Sequence, residues 1–286
     1  MSQIKGANVL ITGGGSGIGK LMGLRCLQEG ASHLIIWDIN QKNIDETVLE
    51  CKKKGFRNIH SFVVDVSDVN DIEKAATDVL LDIGNVDILI NNAGIVAGKK
   101  FEDHTRTDID KTLAINVSGV MHVTRVFLPE MLKQRKGHIV NISSASSLIA
   151  LPKGSVYAAS KWAVHGWSES LRMELEQDGT QVNVTTVCPS YIDTGMFKGV
   201  KAPFLFPLLQ PQDITDKIVK AIKDNRVMLM QPDNVNLVPF LKGVMPRRVF
   251  DVVAGYLGVY SSMHEFEGRP KQEGMPEKKS FEKSKK

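Results

Sequence analysis

The sequence has few cysteines, no long apolar run and no net charge outside its last residues, and each shortage excludes a class of protein. Its 286 residues include three cysteines, Cys26, Cys51 and Cys188, an odd set without metal-ligand spacing. This argues against a disulfide scaffold and predicts buried thiols in a reducing compartment. No run of about eighteen or more apolar residues occurs, so no segment is predicted to span a bilayer.

The charge of the chain is concentrated at its C-terminal end. The net charge is +4, and residues 268–286 contain seven basic and three acidic residues, so residues 1–267 are neutral overall. A neutral body offers no basic surface for nucleic acid, and the tail is predicted to be a disordered, solvated end. The first residues, MSQIKGANVLIT, contain neither a signal-peptide pattern nor an apolar anchor, which predicts a cytoplasmic location.

Short apolar and β-branched runs alternate with stretches of helical periodicity. The predicted strands are NVLIT at 8–12, HLIIW at 33–37, IHSFVV at 59–64, DILI at 87–90, GHIVNI at 137–142, QVNVTTV at 181–187 and RVMLM at 226–230. Helical periodicity is found between them, for example at 44–54, 71–84 and 159–177. This alternation predicts an α/β fold, a single-domain, doubly wound parallel sheet of the Rossmann type over 1–267, with helices on both faces.

Glycines are dense directly after the first predicted strand, in TGGGSGIGK at 12–20. Their spacing is T-G-x-x-x-G-x-G, formed by Thr12, Gly13, Gly17 and Gly19, and it departs from the G-x-G-x-x-G dinucleotide fingerprint. The segment is either a tight strand-to-helix turn or a cradle in which backbone N–H groups and a helix N-terminus bind a pyrophosphate. Glycine costs backbone entropy, so this density indicates a role that a side chain would prevent.

Polar residues follow the predicted strands at the edge where such sheets bind ligands. Asp38 ends the second strand about twenty residues after the glycines, where a carboxylate can bind the adenosine ribose and repel a 2′-phosphate. It therefore favours NAD over NADP, although it is also placed to cap the following helix. Asp65 and Val66 follow the third strand, where they can flank an adenine ring, and NNAG at 91–94 is either a cofactor contact or a turn.

A possible acid–base pair lies at the start of the helical segment after the fifth strand. Tyr157 and Lys161 are four residues apart, so both side chains project from one helix face. A free tyrosine has a pKa of about 10, and a nearby ammonium group would lower it. Ser144, which follows the preceding strand, is placed to hydrogen-bond a substrate oxygen. Without Ser144, the Y-x-x-x-K spacing would be more typical of an ordinary helix face.

Together these motifs resemble the short-chain dehydrogenase/reductase family, from Asn8 to about Met230. The resemblance rests on TGGGSGIG, Asp38, Asp65, NNAG, Asn116 in AINVSG, Ser144, the Tyr157/Lys161 spacing and CPSYIDTGMF at 188–197. It implies hydride transfer between an alcohol or ketone carbon and a nicotinamide ring.

The resemblance implies four catalytic residues. Tyr157 would transfer the hydroxyl proton and Ser144 would orient the reacting oxygen. Lys161 would bind the nicotinamide ribose and lower the pKa of Tyr157, and Asn116 would hold a relay water. The residues predicted to bind NAD are Thr12, Gly13, Ser16, Gly17, Ile18, Gly19, Asp38, Asp65, Val66, Asn92, Ala93, Gly94, Tyr157, Lys161, Pro189, Ile192 and Thr194. Ser190 stands where the family commonly has glycine, and no metal site is predicted.

The segment after the sixth strand predicts a lipophilic substrate. Apolar side chains are dense between Met196 and Leu209, which predicts a substrate lid over about 195–210 that includes Phe204 and Phe206. Packing of this loop onto the body is the alternative. WDIN, NNAGIVAGKKF and CPSYIDTGMF resemble the branch that contains 17β-hydroxysteroid dehydrogenase type 11 and retinol dehydrogenase 10. That resemblance implies a steroid, retinol or similar alcohol.

Several alternatives stay open at this point. The protein is either this NAD-dependent enzyme, an NADPH-dependent carbonyl reductase, or a dinucleotide-sensing protein without catalysis. A C-terminal extension is expected over about 233–267, and its segment 238–260 would be a lid, an interface, core packing or a peripheral contact with a membrane or lipid droplet. A homodimer or homotetramer is the expected assembly.

Overall fold

Seven parallel strands form the centre of the fold in the computed structural model, which describes residues 2–268. The strands are β1 (Asn8–Thr12), β2 (His33–Asp38), β3 (Ile59–Val63), β4 (Ile88–Asn91), β5 (Gly137–Ile142), β6 (Val182–Pro189) and β7 (Met228–Gln231). Their order across the sheet is β3-β2-β1-β4-β5-β6-β7. The predicted α/β Rossmann fold is confirmed. The predicted disordered tail lies, from residue 269 onward, outside the described residues.

Helices cover both faces of this sheet. They are α1 (Gly17–Gln28), α2 (Gln41–Lys53), α3 (Val69–Ile83), α4 (Arg106–Leu113), α5 (Val120–Lys133), α6 (Ser155–Gln177), α7 (Pro211–Lys223), α8 (Leu237–Val244) and α9 (Arg247–Tyr256). Side chains of α1, α2 and α7 pack on one face, and side chains of α3, α5 and α6 pack on the other. In β1, Val9 and Ile11 belong to the first core and Leu10 to the second, because successive side chains of a strand point to opposite faces.

The strand order reverses between β1 and β4, which are neighbours in the sheet. From this point the chain proceeds outward through β2 and β3 on one side and through β5, β6 and β7 on the other. Loops that leave the carboxyl ends of β1 and β4 therefore separate and leave a crevice, which is where ligands of such sheets bind.

A π-helical turn, Ala114–Gly119, lies between α4 and α5. It places Asn116 fully buried behind the loop that follows β4. Such turns are rare insertions into α-helices and are frequent at functional sites. The family resemblance identified Asn116 within AINVSG. The apolar pattern of this segment does not predict that its turn is π-helical rather than α-helical.

The chain after β7 forms an additional layer. A short 3₁₀ helix, Asp233–Asn236, precedes α8 and α9, and their inward side chains Val235, Val238, Phe250 and Ala254 form a cluster with Leu148 of the loop after β5. This extension therefore closes over the carboxyl end of β5 rather than over the main sheet faces. In the part of the chain that the structure describes, no helix is long and apolar enough to cross a membrane.

Candidate active site

A cleft at the carboxyl ends of the strands brings most of the predicted site residues together. Those that line it are Gly13, Ser16, Gly17, Ile18, Gly19, Asp38, Asp65, Val66, Asn92, Ala93, Gly94, Ser144, Tyr157, Lys161, Pro189, Ile192 and Thr194. Thr12 and Asn116 lie behind its wall. The Thr12 hydroxyl accepts hydrogen bonds from the N–H groups of Asn92 and Ala93 at 3.0 and 3.1 Å, so it fixes the loop after β4.

The glycine-rich loop is shaped by backbone conformation and by close packing. Gly13 and Gly17 have φ values of +63° and +55°, a region that residues with a side chain rarely adopt. Asn92 Nδ2 donates to the Thr12 and Gly13 carbonyls at 3.0 and 3.1 Å. Ser16 precedes α1, and its side chain makes no capping hydrogen bond to the first turn. That turn lines the cleft and can donate its N–H groups to an anion there.

Gly19 allows α1 to lie directly on this loop, and its replacement gives the first prediction. A Cβ atom at this position would collide with the Gly13 carbonyl oxygen and stand 2.6 Å from Asn92 Nδ2. We expect Gly19→Ala to lower NADH affinity by more than tenfold and to destabilise the fold by about 1–3 kcal/mol, the usual scale for overpacking. NADH fluorescence titration and thermal unfolding measure the two effects.

Gly166→Ala is the matched control, because Gly166 lies within α6 and a Cβ there would meet no atom within 4 Å. This variant should retain NADH affinity and gain roughly 0.5–1 kcal/mol of stability. Equal NADH affinity in Gly19→Ala and the parent protein would contradict the packing role of Gly19.

Asp38 is buried at the edge of the cleft, and two backbone donors orient its carboxylate. Oδ2 accepts from the Gly15 N–H and Oδ1 from the Asn40 N–H, both at 3.0 Å. The alternative that Asp38 caps the next helix is wrong, since Asn40 is the N-cap of α2 and accepts from the Asn43 N–H at 3.1 Å. Asp38 thus links the glycine loop to the start of α2, and its carboxylate oxygens retain lone pairs for further donors.

Ser144, Tyr157 and Lys161 lie together where β5 and α6 meet. The Lys161 ammonium group donates to the Ile142 carbonyl at 2.8 Å and lies 5.7 Å from the centre of the Tyr157 ring. Burial lowers the pKa of Lys161 to about 8. Burial also raises the pKa of the Tyr157 hydroxyl, and a hydrogen bond with Ser144 acts in the opposite direction. Removal of Tyr157 from water is the larger effect, so its pKa is raised overall, and a lowering of this pKa by Lys161 stays a prediction.

The Asn116 side chain ties three segments together. Its Oδ1 accepts from the Ile95 N–H at 2.9 Å, and its Nδ2 donates to the Ile95 carbonyl at 2.9 Å and to Ser160 Oγ at 3.0 Å. Asn116 therefore positions the loop after NNAG against α6, immediately behind Tyr157 and Lys161. Its assignment to a relay water stays a prediction.

An apolar cavity adjoins the cleft. Ser144, Tyr157, Ser190 and Phe197 line both spaces. The rest of the cavity wall is mainly apolar and comes from three segments, with Ile149 and Leu151 after β5, Tyr191, Pro203 and Phe206 after β6, and Val235, Val238 and Val259 in the extension. Phe206 is half-buried at this wall, whereas Phe204 is 88% exposed, so the expectation that both contact a substrate is wrong for Phe204.

Sequence reasoning missed several residues of these walls. Tyr191 belongs to CPSYIDTGMF, and its ring packs edge to face with that of Phe197, a residue of the predicted lid, at 5.2 Å between centres, so the motif itself was a usable signal for Tyr191. The lid alternative for 238–260 includes Val238 and Val259, whereas Val235 had no signal, because no local pattern indicates that the extension folds back over β5. Ser190 fits without strain, since its φ is not positive, and its N–H donates to the Gln231 carbonyl at 2.7 Å.

Comparison with known proteins agrees with this arrangement. Residues 7–203 match the family model described as short chain dehydrogenase. Mouse epidermal retinol dehydrogenase 2 is 37% identical over 273 residues, which cover 94% of this chain and 88% of the relative. Rat estradiol 17-beta-dehydrogenase 11 is 35% identical over 258 residues, which cover 90% and 86%.

Two solved structures extend the comparison to the cofactor. A short-chain dehydrogenase/reductase from Burkholderia phymatum in complex with NAD has a TM-score of 0.77 and 26% identity, and the match covers 85% of this chain and 95% of that one. A metagenomic short-chain oxidoreductase in complex with NADP has a TM-score of 0.68 and 28% identity, over 80% and 96%. These two structures hold different cofactors. The family match, the relatives and the sheet lead to one conclusion: the chain is an oxidoreductase of the short-chain dehydrogenase family, in the branch of the retinol dehydrogenases and estradiol 17-beta-dehydrogenase 11.

Proposed function

We propose that the protein is an NAD-dependent dehydrogenase that transfers a hydride between a lipophilic alcohol and the nicotinamide ring. The observation that carries this proposal is that Ser144 and Tyr157 line both the glycine-loop cleft and the apolar cavity. A cofactor bound in the cleft and an alcohol bound in the cavity would therefore meet at the two hydroxyl groups.

The cleft residues fit NAD by their chemistry. The open first turn of α1 and the glycine loop supply N–H donors for a diphosphate, and the oriented Asp38 carboxylate supplies acceptors for ribose hydroxyls. Ile39 follows Asp38 and adds no positive charge that would favour a 2′-phosphate. When bound, the nicotinamide ring supplies the hydride chemistry that no side chain provides.

Tyr157 is proposed as the acid–base group. Its raised pKa keeps the hydroxyl protonated at neutral pH, so it can donate a proton to a carbonyl oxygen that becomes an alcohol. In the reverse direction it must accept that proton, and the buried Lys161 ammonium group favours the phenolate that would do so. Ser144 hydrogen-bonds with Tyr157 and would orient the same substrate oxygen.

The cavity favours a lipophilic substrate. Leucine, isoleucine, valine, proline and phenylalanine side chains dominate its wall, and its polar groups include the Ser144 and Tyr157 hydroxyls where the reaction would occur. The relatives named for retinol and estradiol support a substrate of this size and polarity.

Truncation of Phe206 tests the substrate class. If Phe206 contacts a bulky alcohol, Phe206→Ala should lower kcat/KM for a retinol- or steroid-sized alcohol by about 1–3 kcal/mol of transition-state stabilisation, the scale for burial of a large apolar side chain. A small alcohol should be affected much less. The ratio of the two kcat/KM values cancels general damage to the fold.

Phe204→Ala is the control in the same loop, because the Phe204 side chain points to solvent. Phe204→Ala should leave the ratio of kcat/KM for the large alcohol to kcat/KM for the small alcohol unchanged, in an assay without detergent in which both alcohols are dissolved. Equal losses on large and small alcohols in Phe206→Ala would mean that the loop packs on the body without contacting substrate, which would contradict the proposed role of Phe206 and leave the lipophilic assignment to the rest of the wall and to the relatives.

An NADPH-dependent carbonyl reductase is the second candidate, supported by the structural neighbour in complex with NADP. For this function, NADPH would have to bind with its 2′-phosphate beside the negatively charged Asp38 carboxylate. A dinucleotide sensor without turnover is a weaker candidate, since Ser144, Tyr157 and Lys161 lie together at the junction of the two spaces. Assays that supply both cofactors separate the three functions.

A further inference from the structure

Residues 262–268 lie across the loop that follows β6, and we call them the C-terminal strap. The loop residues that they contact, 194–201, are called the Phe197 segment. The N–H groups of Glu267 and Gly268 in the strap donate to the Lys198 carbonyl at 2.9 and 3.2 Å. The Lys198 and Glu267 side chains also form an ion pair, with 2.8 Å between Nζ and Oε2. Backbone and side-chain contacts therefore join the strap to the Phe197 segment.

Close backbone packing extends this contact. The Lys201 N–H donates to the Ser262 carbonyl at 3.0 Å. Gly199 has a φ of +82°, and a Cβ atom on it would collide with the Glu265 carbonyl oxygen. A residue with a side chain at this position would push the two segments apart, so Gly199 allows the strap to lie directly on the Phe197 segment.

Phe266 is the aromatic contact of the strap with the site. Its ring lies against the backbone of Gly98, in the loop after β4, where a Cβ atom would collide with it. The centre of the Phe266 ring is also 6.5 Å from that of Phe197, at an interplanar angle of 62°. Both phenylalanines pack on the buried cluster that contains Tyr157 and Met263. Phe266 therefore connects the loop after β4 to Phe197.

Phe197 lies where the two spaces of the site meet. It lines both the glycine-loop cleft and the apolar cavity. Its ring packs edge to face with the rings of Tyr157 and Tyr191, at 6.1 and 5.2 Å between centres. The Phe197 segment consists of turns and irregular chain rather than helix or strand. A segment of this kind is positioned mainly by its tertiary contacts, and here these include the strap.

We propose that Phe266 is a positioning residue for the reaction, because it holds the Phe197 ring against Tyr157 at the junction of the two spaces. Phe266 is not among the described residues that line either space, so it acts through Phe197. Without the Phe266 ring, the Phe197 ring would have room to turn away from Tyr157. The wall that the cleft and the cavity share would then open.

Displacement of Phe197 would affect a large substrate most, a consequence that rests on the proposed function. A bulky lipophilic alcohol would lose contact with the displaced wall, so its KM should rise. The kcat should change little, because the Ser144 and Tyr157 hydroxyls remain in place. The position of the Phe197 segment itself does not depend on the proposed function, and it can be measured without any substrate.

Hydrogen–deuterium exchange of the full chain measures this position. In Phe266→Ala, amides of the Phe197 segment should exchange about tenfold faster than in the parent, because the loss of an aromatic contact favours local opening. Amides of β5 should exchange as in the parent. In kinetic assays the same variant should raise KM for a retinol- or steroid-sized alcohol by roughly 3–10-fold, and leave kcat and the KM for a small alcohol within about twofold.

Gly98→Ala is a second variant that reaches Phe197 by another route. Its Cβ atom would displace the Phe266 ring while both phenylalanines are retained, so exchange of the Phe197 segment and KM for the large alcohol should rise as in Phe266→Ala. Phe101→Ala is the matched control, since Phe101 is 65% exposed and its ring packs on His104 instead. This control should leave both quantities as in the parent.

The outcomes separate the positioning role from the proposed function. Parent-like exchange of the Phe197 segment in Phe266→Ala, or an equal increase in Phe101→Ala, would overturn the proposal. Faster exchange with a parent-like KM for the large alcohol would also overturn it, because the segment would then move without consequence for the reaction. A parent chain without dehydrogenase activity would contradict the proposed function, whereas the exchange result would still decide whether Phe266 holds the Phe197 segment.

Discussion

Replacement of Tyr157 with phenylalanine is expected to lower kcat by about 10²–10⁴-fold, the usual contribution of general acid–base catalysis. The substitution removes the hydroxyl that would transfer the proton and keeps the ring, which packs edge to face with Phe197 at 6.1 Å between centres. The cleft wall should therefore keep its shape, and NADH affinity should change by less than about twofold. Steady-state kinetics and NADH fluorescence titration measure the two quantities.

Tyr191→Phe provides the control for this experiment. Tyr191 is a second buried tyrosine of the same cavity, and its hydroxyl is engaged with Ser262 Oγ at 2.7 Å rather than with Ser144. Loss of that hydrogen bond should cost about 0.5–1.5 kcal/mol of stability and leave kcat within a few-fold of the parent. If Tyr157→Phe retained activity within about tenfold of the parent, Tyr157 would not be the acid–base group.

Replacement of Asp38 with alanine is expected to shift cofactor use from NAD toward NADP. The variant would remove both the acceptors for the adenosine ribose and the charge that opposes a 2′-phosphate. Hydrogen bonds to charged groups contribute about 1.5–3 kcal/mol, so the ratio of kcat/KM for NAD to kcat/KM for NADP should fall by roughly 10–100-fold. Kinetics with each cofactor at a fixed alcohol concentration measure this ratio.

The ratio also separates recognition from structural damage. Asp38→Ala leaves the Gly15 and Asn40 N–H groups without their carboxylate acceptor, which would weaken both cofactors together. Asp45→Ala removes a charge from the exposed face of α2 and should leave the ratio unchanged. An unmodified enzyme that used NADP as efficiently as NAD would show that Asp38 does not determine the preference.

The sheet was predictable because its strands are short runs of buried apolar and β-branched residues. NVLIT and GHIVNI coincide with β1 and β5, and the other predicted strands differ from the observed ones by one or two residues at an end. At β6 the observed strand continues to Pro189, because Cys188 and Pro189 pair with Met230 and Gln231 of β7. Pairing partners distant in the sequence decide where a strand ends, so local patterns cannot locate the last residue.

The residues of the candidate site were predictable where a sequence motif contains the reactive groups. They were not predictable where tertiary packing determines burial and side-chain orientation. The glycine loop, Asp38 and the Tyr157/Lys161 pair were placed in one cleft from their positions after strands. The pKa of Tyr157 is raised rather than lowered overall, since burial of the hydroxyl is the largest effect and depends on tertiary packing rather than on the four-residue spacing. The opposite orientations of Phe204 and Phe206 were likewise fixed by the extension, whose position no local pattern indicates.

The measurement that tests the central claim most directly is NADH formation by the purified chain. The assay supplies NAD or NADP, one at a time, with a retinol- or steroid-sized alcohol and with a small alcohol, and compares kcat/KM across the four combinations. The account predicts the highest value for NAD with the large alcohol, and loss of that activity in Tyr157→Phe. No reduced cofactor with any combination, or a higher value for NADP than for NAD, would contradict it.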